Sequence, residues 1–189
     1  TGALVIRYRA YFVRRLQEAA PAVHRDFSGG REELSLTYQT VSSVSDPTAA
    51  PQKILEQLRD HQERHRQAEL DSRQCLSGPH KDDLLVELDG RSARTYGSQG
   101  QTRTAALSLK LAQRDIFFQE TGEYPVLLLD DVLSELDARR QAFVLNHIQG
   151  GQIFITCCEE EKLEGGAAFS VRLIDCVGYM VRGALGQTE

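Results

Sequence analysis

No lysine in this 189-residue chain follows a glycine. Lys53, Lys81, Lys110 and Lys162 are the whole complement, so no G-x-x-x-x-G-K-[ST] occurs. That excludes the loop on which a self-contained nucleotide hydrolase cradles its β- and γ-phosphates. Tryptophan is absent and methionine occurs once. No apolar run approaches the roughly 18 residues of a membrane helix, and no signal peptide opens the chain. The four cysteines (Cys75, Cys157, Cys158, Cys176) form no C-x-x-C pair and no zinc-ligand spacing. Adjacent Cys157 and Cys158 are poorly placed to bridge each other, so reduced thiols and a cytoplasmic location are expected. Internal repeats, low-complexity tracts and sustained heptads are lacking too. The start at Thr1-Gly2-Ala3-Leu4, with no methionine and already in pattern, suggests a fragment.

What is present suits one domain, or one domain with an extension: 41% hydrophobic, 26% charged, formal net charge −5. The charge is uneven. Residues 1–25 carry Arg7, Arg9, Arg14, Arg15 and Arg25 against Glu18 alone, whereas residues 120–189 hold twelve acids and five bases. The acidic half is a poor surface for nucleic acid, so Arg7, Arg9, Arg14 and Arg15 are the DNA-binding candidates.

Apolar residues at three- and four-residue spacing predict a helix over 3–26, kinked or ended at Pro21. Residues 34–41 alternate and predict a strand; 42–51 read as a loop. Residues 52–73 predict a polar outer helix with favourable Asp60–Arg64 and Glu69–Arg73 pairs. After Cys75 the texture changes. Asp89-Gly90 signals a hairpin between strands 84–88 and 91–96. A long helix is expected over 102–121, closed by Gly122. Val126–Leu129, all apolar, predicts a central strand covered on both faces. A helix over 138–147, a strand over 152–156 and a terminal strand pair (169–175, 178–182) follow. Strand, helix, strand at short spacing predicts a parallel α/β core from about residue 120, with a boundary near Cys75.

Two segments carry chemistry. In Leu127-Leu-Leu-Asp-Asp131 a buried strand ends in two carboxylates, where an α/β sheet opens its ligand crevice. One carboxylate could serve Mg²⁺, commonly through water, and the other could orient or deprotonate an attacking water. Alone, the strand could simply end in polar residues; Ser134 and Asp137 in the following turn weigh against that. Upstream, Gly97-Ser-Gln-Gly-Gln101 opens the long helix. Its glycines permit close approach of backbone to phosphate, and a helix N-terminus attracts anions, although by itself the segment is a capped turn. His80, Asp82 and Asp83 allow a rival reading, a metal cluster completed by Asp130 and Asp131; no second histidine at ligand spacing supports it.

Tyr96-Gly-Ser-Gln-Gly-Gln-Thr-Arg-Thr104, Val126-Leu-Leu-Leu-Asp-Asp-Val-Leu-Ser-Glu-Leu-Asp137, Gly78-Pro-His-Lys-Asp-Asp-Leu84 and Gly29-Gly-Arg-Glu-Glu-Leu-Ser-Leu-Thr-Tyr38 together resemble the C-terminal half of the RecF family. These are bacterial recombination mediators related to the SMC and ABC ATPases. The resemblance spans nearly the whole chain. It implies an α/β fold: 76–189 as the C-terminal lobe of an ABC/SMC-like ATPase head, with signature motif, Walker B and D-loop, and 1–75 as the distal part of a helical arm. It implies that Asp130 serves Mg²⁺ and that Asp131 is the catalytic carboxylate. Ser98, Gln99, Gly100 and Gln101 would contact, in trans, the γ-phosphate of ATP held by a second protomer. Ser134 and Asp137 would form the D-loop and Thr156 the switch position, where ABC transporters carry histidine. The cofactors would be ATP and Mg; the partners, gapped or junction DNA, RecR and a second copy in an ATP-dependent homodimer, with no membrane. The work would be DNA recombination, replication and repair, including the SOS response. The full-length protein would be an ATPase and this chain alone inactive. Two other readings stay open: the head of an SMC-like ATPase of different biology, which long heptads would mark, and a pure interaction module.

Overall fold

The structure, a computed structural model, describes residues 1–133, 136–148 and 150–156 in full, and the backbone alone of Cys157 and of the strands at 170–176 and 179–185. Helix α1 (Gly2–Ser28) buries Ile6, Ala10, Val13, Leu16, Ala20, His24 and Phe27 along one stripe. It continues past Pro21, where the sequence predicted a kink or a stop. Proline inside a helix costs about 3 kcal/mol. Burial of the large side chains on either side, Leu16 and Phe27, supplies roughly 1.5–3 kcal/mol each and offsets that cost. Gly29 then ends the helix at φ 71°, and Gly30 N–H donates to Arg25 O at 2.7 Å. A side chain at Gly29 would both strain that backbone and strike the Arg139 guanidinium.

Strand β1 (Leu34–Gln39) pairs antiparallel with β2 (Asp83–Leu88), Leu34 opposite Leu88. The Asp89-Gly90 turn, with φ of 50° and 72°, leads into β3, which is only Arg91–Ser92. The expected return strand to Tyr96 is instead a helical turn, α4 (Ala93–Tyr96), because Ala93 is drawn into the core. Between β1 and β2 lie α2 (Pro51–Arg64) and α3 (Arg66–Ser72), broken at His65 where one helix was expected. The predicted side-chain pairs there are replaced. Arg64 donates to Asp60 O, and the Glu69 carboxylate accepts from Leu76 N–H.

Helix α5 (Gln99–Thr121) lies on α1 and buries Ala105, Leu107, Leu111, Ala112 and Ile116. Beyond it, β4 (Leu127–Asp130) pairs in parallel with β5 (Ile153–Cys157) through the crossover helix α6 (Ala138–His147). Strand β7 (Tyr179–Leu185) joins β5 antiparallel and is followed by β6 (Ser170–Cys176), in the order β4-β5-β7-β6. The sheet is therefore mixed, not wholly parallel. Strand β4 stands at its edge among the described residues, and Val126 and Leu128 are 56% and 70% exposed. The sequence had this strand covered on both faces; here only the Leu129 side is buried.

Residue 75 does not separate two cores. One apolar cluster joins Leu16, Ala20, Leu34 and Leu36 to Leu88, Ala93, Ala105 and Ile116, and another joins Phe27 to Leu107, Leu129, Leu133 and Val144. Only the outermost cluster, Ala3, Ile6, Val41, Val44, Ile54 and Leu58, belongs to the first segment alone.

Candidate nucleotide site

At the carboxyl end of β4, Asp130 stands opposite Thr156 of β5. The Thr156 hydroxyl donates to Asp130 Oδ1 at 2.6 Å and accepts the Asp131 backbone N–H at 2.9 Å. One side chain thus clamps both aspartates to the next strand. Asp131 is held at φ 50°, a left-handed conformation uncommon outside glycine. Such backbone costs about 1–3 kcal/mol and clusters where function demands it. Both aspartates are exposed. Hard oxygens at an open strand end fit a magnesium ion that keeps most of its water. No group of three or more His, Cys, Asp or Glu side chains among the described residues could hold a metal by itself.

The chain turns after β4 and enters α6 at Asp137, whose carboxylate caps the helix by accepting Arg140 N–H at 2.9 Å. Ser134, the other expected D-loop residue, lies outside the described residues.

The turn before α5 is built as a reciprocal cap. Ser98 Oγ accepts Gln101 N–H at 3.3 Å, and Gln101 Oε1 accepts Ser98 N–H at 2.9 Å. Gly97 is required by packing: a Cβ there would fall well inside 3 Å of Ala93 O and 2.9 Å from Thr102 Oγ1. Gly100 is not. A Cβ at Gly100 would meet only Arg140 Nη1, at an ordinary 3.6 Å. Ser98, Gln99 and Gly100 are exposed.

The rival metal cluster does not assemble around His80. Asp82 accepts from Tyr38 Oη at 2.6 Å, Thr40 Oγ1 at 2.9 Å and Arg9 Nη1 at 3.0 Å, while His80 Nε2 pairs with Cys75 O. Burial, then the Asp82 contact, pushes the Tyr38 hydroxyl pKa upward. Gly78 allows the φ of 137° that starts this turn.

Of the basic N-terminal residues, Arg9 joins Asp82 and Pro79 O, and Arg15 bridges Glu120 and Gln119. Arg14 lies 3.9 Å from Glu18, and Arg7 sits over the Tyr11 ring at 5.4 Å. Arg7 and Arg14 share one helix face, two turns apart; Arg9 points elsewhere.

Sequence reasoning passed over three further contributors. Arg140 adjoins both Gly100 and Asp137. Buried His24 reaches Ser108 Oγ of α5 through Nδ1 (3.1 Å) and Glu32 through Nε2 (3.2 Å), and burial lowers its pKa although Glu32 opposes the shift. Arg114, under the Tyr124 ring, donates to Gly150 O just before β5. No local sequence signal marks any of them.

Fold and site together define a class: the carboxylate-bearing lobe of an ABC/SMC-like ATPase head. No protein-family model matches the chain. Individual relatives do. The DNA replication and repair protein RecF of Bacillus subtilis is 48% identical over 164 residues, 86% of this chain and 44% of that protein. Its counterpart in Clostridium tetani is 40% identical over 163 residues, again 86% of this chain and 44% of the relative. A solved structure of the recombination mediator protein RecF-ATPrS in the RecFOR pathway superposes with a TM-score of 0.76 at 34% identity, covering 91% of this chain and 44% of that one. The RecF-ATP structure gives 0.74 at 34% identity, over 91% and 46%. The chain belongs to the RecF family and spans less than half the length of the curated relatives it matches.

Proposed function

We propose that this chain is the signature and Walker B half of a composite ATP site in a DNA-binding recombination mediator that dimerises on ATP. The observation that carries the reading is the pair of exposed aspartates at the end of β4, pinned by Thr156, with Asp131 held in left-handed backbone. Two of the solved structures that the chain resembles are RecF-ATPrS and RecF-ATP.

Each described residue takes a role. Asp130, oriented by the Thr156 hydroxyl, would hold Mg²⁺, through its waters. Asp131 orients the attacking water and accepts its proton. When bound, the ion would neutralise charge on the phosphates. Thr156 holds the Asp130 carboxylate and the Asp131 backbone in register and so fills the switch position by geometry, not by charge. Ser98, Gln99, Gly100 and Gln101 present a capped helix N-terminus to the γ-phosphate of a nucleotide on the partner protomer. Gly100 supports this: glycine inside a helix costs about 0.5–1 kcal/mol, and nothing among the described residues requires it there. Asp137 lies at the same interface.

The phosphate loop comes from the part of the relatives' length that this chain does not span. The edge of β4 supports that division. Leu107, Leu127, Leu129, Val132 and Leu136, with Arg103 and Lys110, line a largely apolar groove of about 370 Å³ beside β4, the edge strand among the described residues, suited to further strands of the same head. Residues 1–75 act as the distal arm and 76–189 as the lobe, a division of labour laid over shared cores. DNA gaps or junctions, RecR and cytoplasmic work in recombination and repair complete the reading.

The test is made in the full-length protein. Asp131→Asn is isosteric but cannot take a proton, so turnover is lost while ATP binding and ATP-driven dimers persist. Ser98→Arg forces a large cation into the turn, so monomers bind ATP but neither dimerise nor hydrolyse. Normal hydrolysis by Asp131→Asn, or normal ATP-dependent sedimentation of Ser98→Arg, refutes the assignment.

A further inference from the structure

Arg140 occupies an unusual electrostatic position. It is the third residue of α6, one turn after the D-loop Asp137, and its side chain is three-quarters buried, 24% exposed. Its Nη1 lies 3.5 Å from Asp137 Oδ2 and packs over Gly100 in the first turn of α5. Two helix N-termini, each with a partial positive charge, therefore border one guanidinium. Its field also reaches His24, whose protonated form it disfavours. A cation beside two positive helix ends is held against repulsion, and among the described residues Asp137 is the one carboxylate within ion-pair distance of it. Asp137 is itself shared with the cap of α6. A structural helix cap needs none of this: the aspartate suffices.

The guanidinium lies against the Ser98–Gln101 turn, of which Ser98, Gln99 and Gly100 are exposed. Gly100 leaves that turn open, and a Cβ would touch the guanidinium alone. We infer that Arg140 is a further anion-recognising residue of the composite site, supplying in trans the cation that the signature turn lacks to the terminal phosphate of a nucleotide on the partner protomer. The inference rests on the dimer reading above. It adds a residue that couples two parts of the site, because the guanidinium touching the signature turn is anchored by the D-loop aspartate. A displaced Asp137 would carry Arg140 away from Gly100, so the two motifs engage a partner's nucleotide together.

The experiment uses the full-length protein, with Arg140→Met to keep the apolar stem and remove the charge, and Arg140→Lys to restore the charge. Sedimentation velocity across an ATP titration gives the half-saturating concentration for dimer formation. ADP binding to the monomer and the melting temperature are measured alongside. Hydrogen bonds to charged groups are worth about 1.5–3 kcal/mol, which corresponds to roughly 10- to 100-fold in the ATP requirement. The expected result is that shift for Arg140→Met, with monomer ADP affinity and melting temperature unchanged, and recovery to within about threefold of wild type for Arg140→Lys, since a point charge still serves a phosphate. A purely structural role would lower the melting temperature and leave the ATP requirement alone. Arg140→Met dimerising at wild-type ATP concentrations overturns the inference. If Arg140→Met is destabilised, Arg140→Lys decides: recovery supports the inference, and a defect as large as that of Met overturns it. Failure of the wild-type protein to dimerise with ATP would instead remove the underlying reading, an outcome separable from the others.

Discussion

Replacing Asp82 with alanine should destabilise the protein by about 3–4 kcal/mol, although Asp82 is remote in sequence from every residue assigned to ATP. Its carboxylate is 2% exposed and accepts three hydrogen bonds. The Tyr38 and Thr40 hydroxyls are partly buried at 2.6 and 2.9 Å. Each bond to an anion is worth about 1.5–3 kcal/mol. Arg9 is half exposed, and after the change it can turn to water, so its pair contributes about 1 kcal/mol or less. The simple sum reaches roughly 4–7 kcal/mol, but the three bonds share one carboxylate and are not additive, which brings the estimate down. Tyr38→Phe removes one donor and leaves the carboxylate two partners, so about 1–2 kcal/mol is expected. The double variant should lose less than the sum of the singles by about 1 kcal/mol or more. Urea unfolding followed by circular dichroism, with equal m-values, measures all three. A loss below about 1 kcal/mol for Asp82→Ala, or strict additivity with Tyr38→Phe, would refute the account of the Gly78–Asp83 turn as the knot that ties α1 and β1 to β2.

Two glycines at the start of α5 should behave oppositely. Gly97→Ala forces a methyl group against Ala93 O, so stability falls by about 1–3 kcal/mol. Gly100→Ala fits and should raise monomer stability by about 0.5–1 kcal/mol in thermal melts while weakening ATP-dependent dimerisation, because in the proposed composite site the added methyl group would stand where phosphate approaches. Loss of stability in Gly100→Ala would show that the space is not open. His24 supplies a pH dependence. Its folded pKa lies below the ordinary 6.5 because burial disfavours the charged ring, so the unfolded chain binds the proton more readily. Its contribution is complete above about pH 6.5 and is lost as pH falls from there toward the folded pKa, at up to about 1.4 kcal/mol per pH unit. His24→Gln should flatten the fall in urea midpoint over that window; an unchanged slope would assign the acid sensitivity elsewhere.

The helices were legible wherever burial is one-sided. The stripe of α1 and the inward face of α5 repeat at helical spacing, so their ends fell within a few residues of the structure. Pro21 did not end α1 because its cost is local, whereas the packing that exceeds it comes from side chains on α5. Strand β4 misled for a different reason. Four apolar residues announce that both faces are to be covered, but they do not say by which chain. Here one face meets Leu107 and Val144, and the other, with Leu128, stands open. The return strand after Gly90 was lost to Ala93, which is buried only because α5 and β1 bring Leu36 and Ala105 to it.

Site residues divide along the same line. Asp130, Asp131, Ser98 and Asp137 were legible as candidates because each lies in a contiguous segment whose strand end or helix start can be read locally. Thr156 was named by position, but its part could not be: only the parallel register with Asp130 puts its hydroxyl between two neighbouring carboxyl-bearing residues. Asp82 has partners 42 to 73 residues upstream, and in sequence it looked like a turn acid or a metal ligand. Arg140 was one of two adjacent arginines after a helix cap. What separates it from Arg139 is direction alone. Arg139 reaches back to Gly29 at the end of α1, and Arg140 reaches across to Gly100. One helical turn thus sends one guanidinium to the end of α1 and the other to the first turn of α5, and no pattern along the chain carries that information.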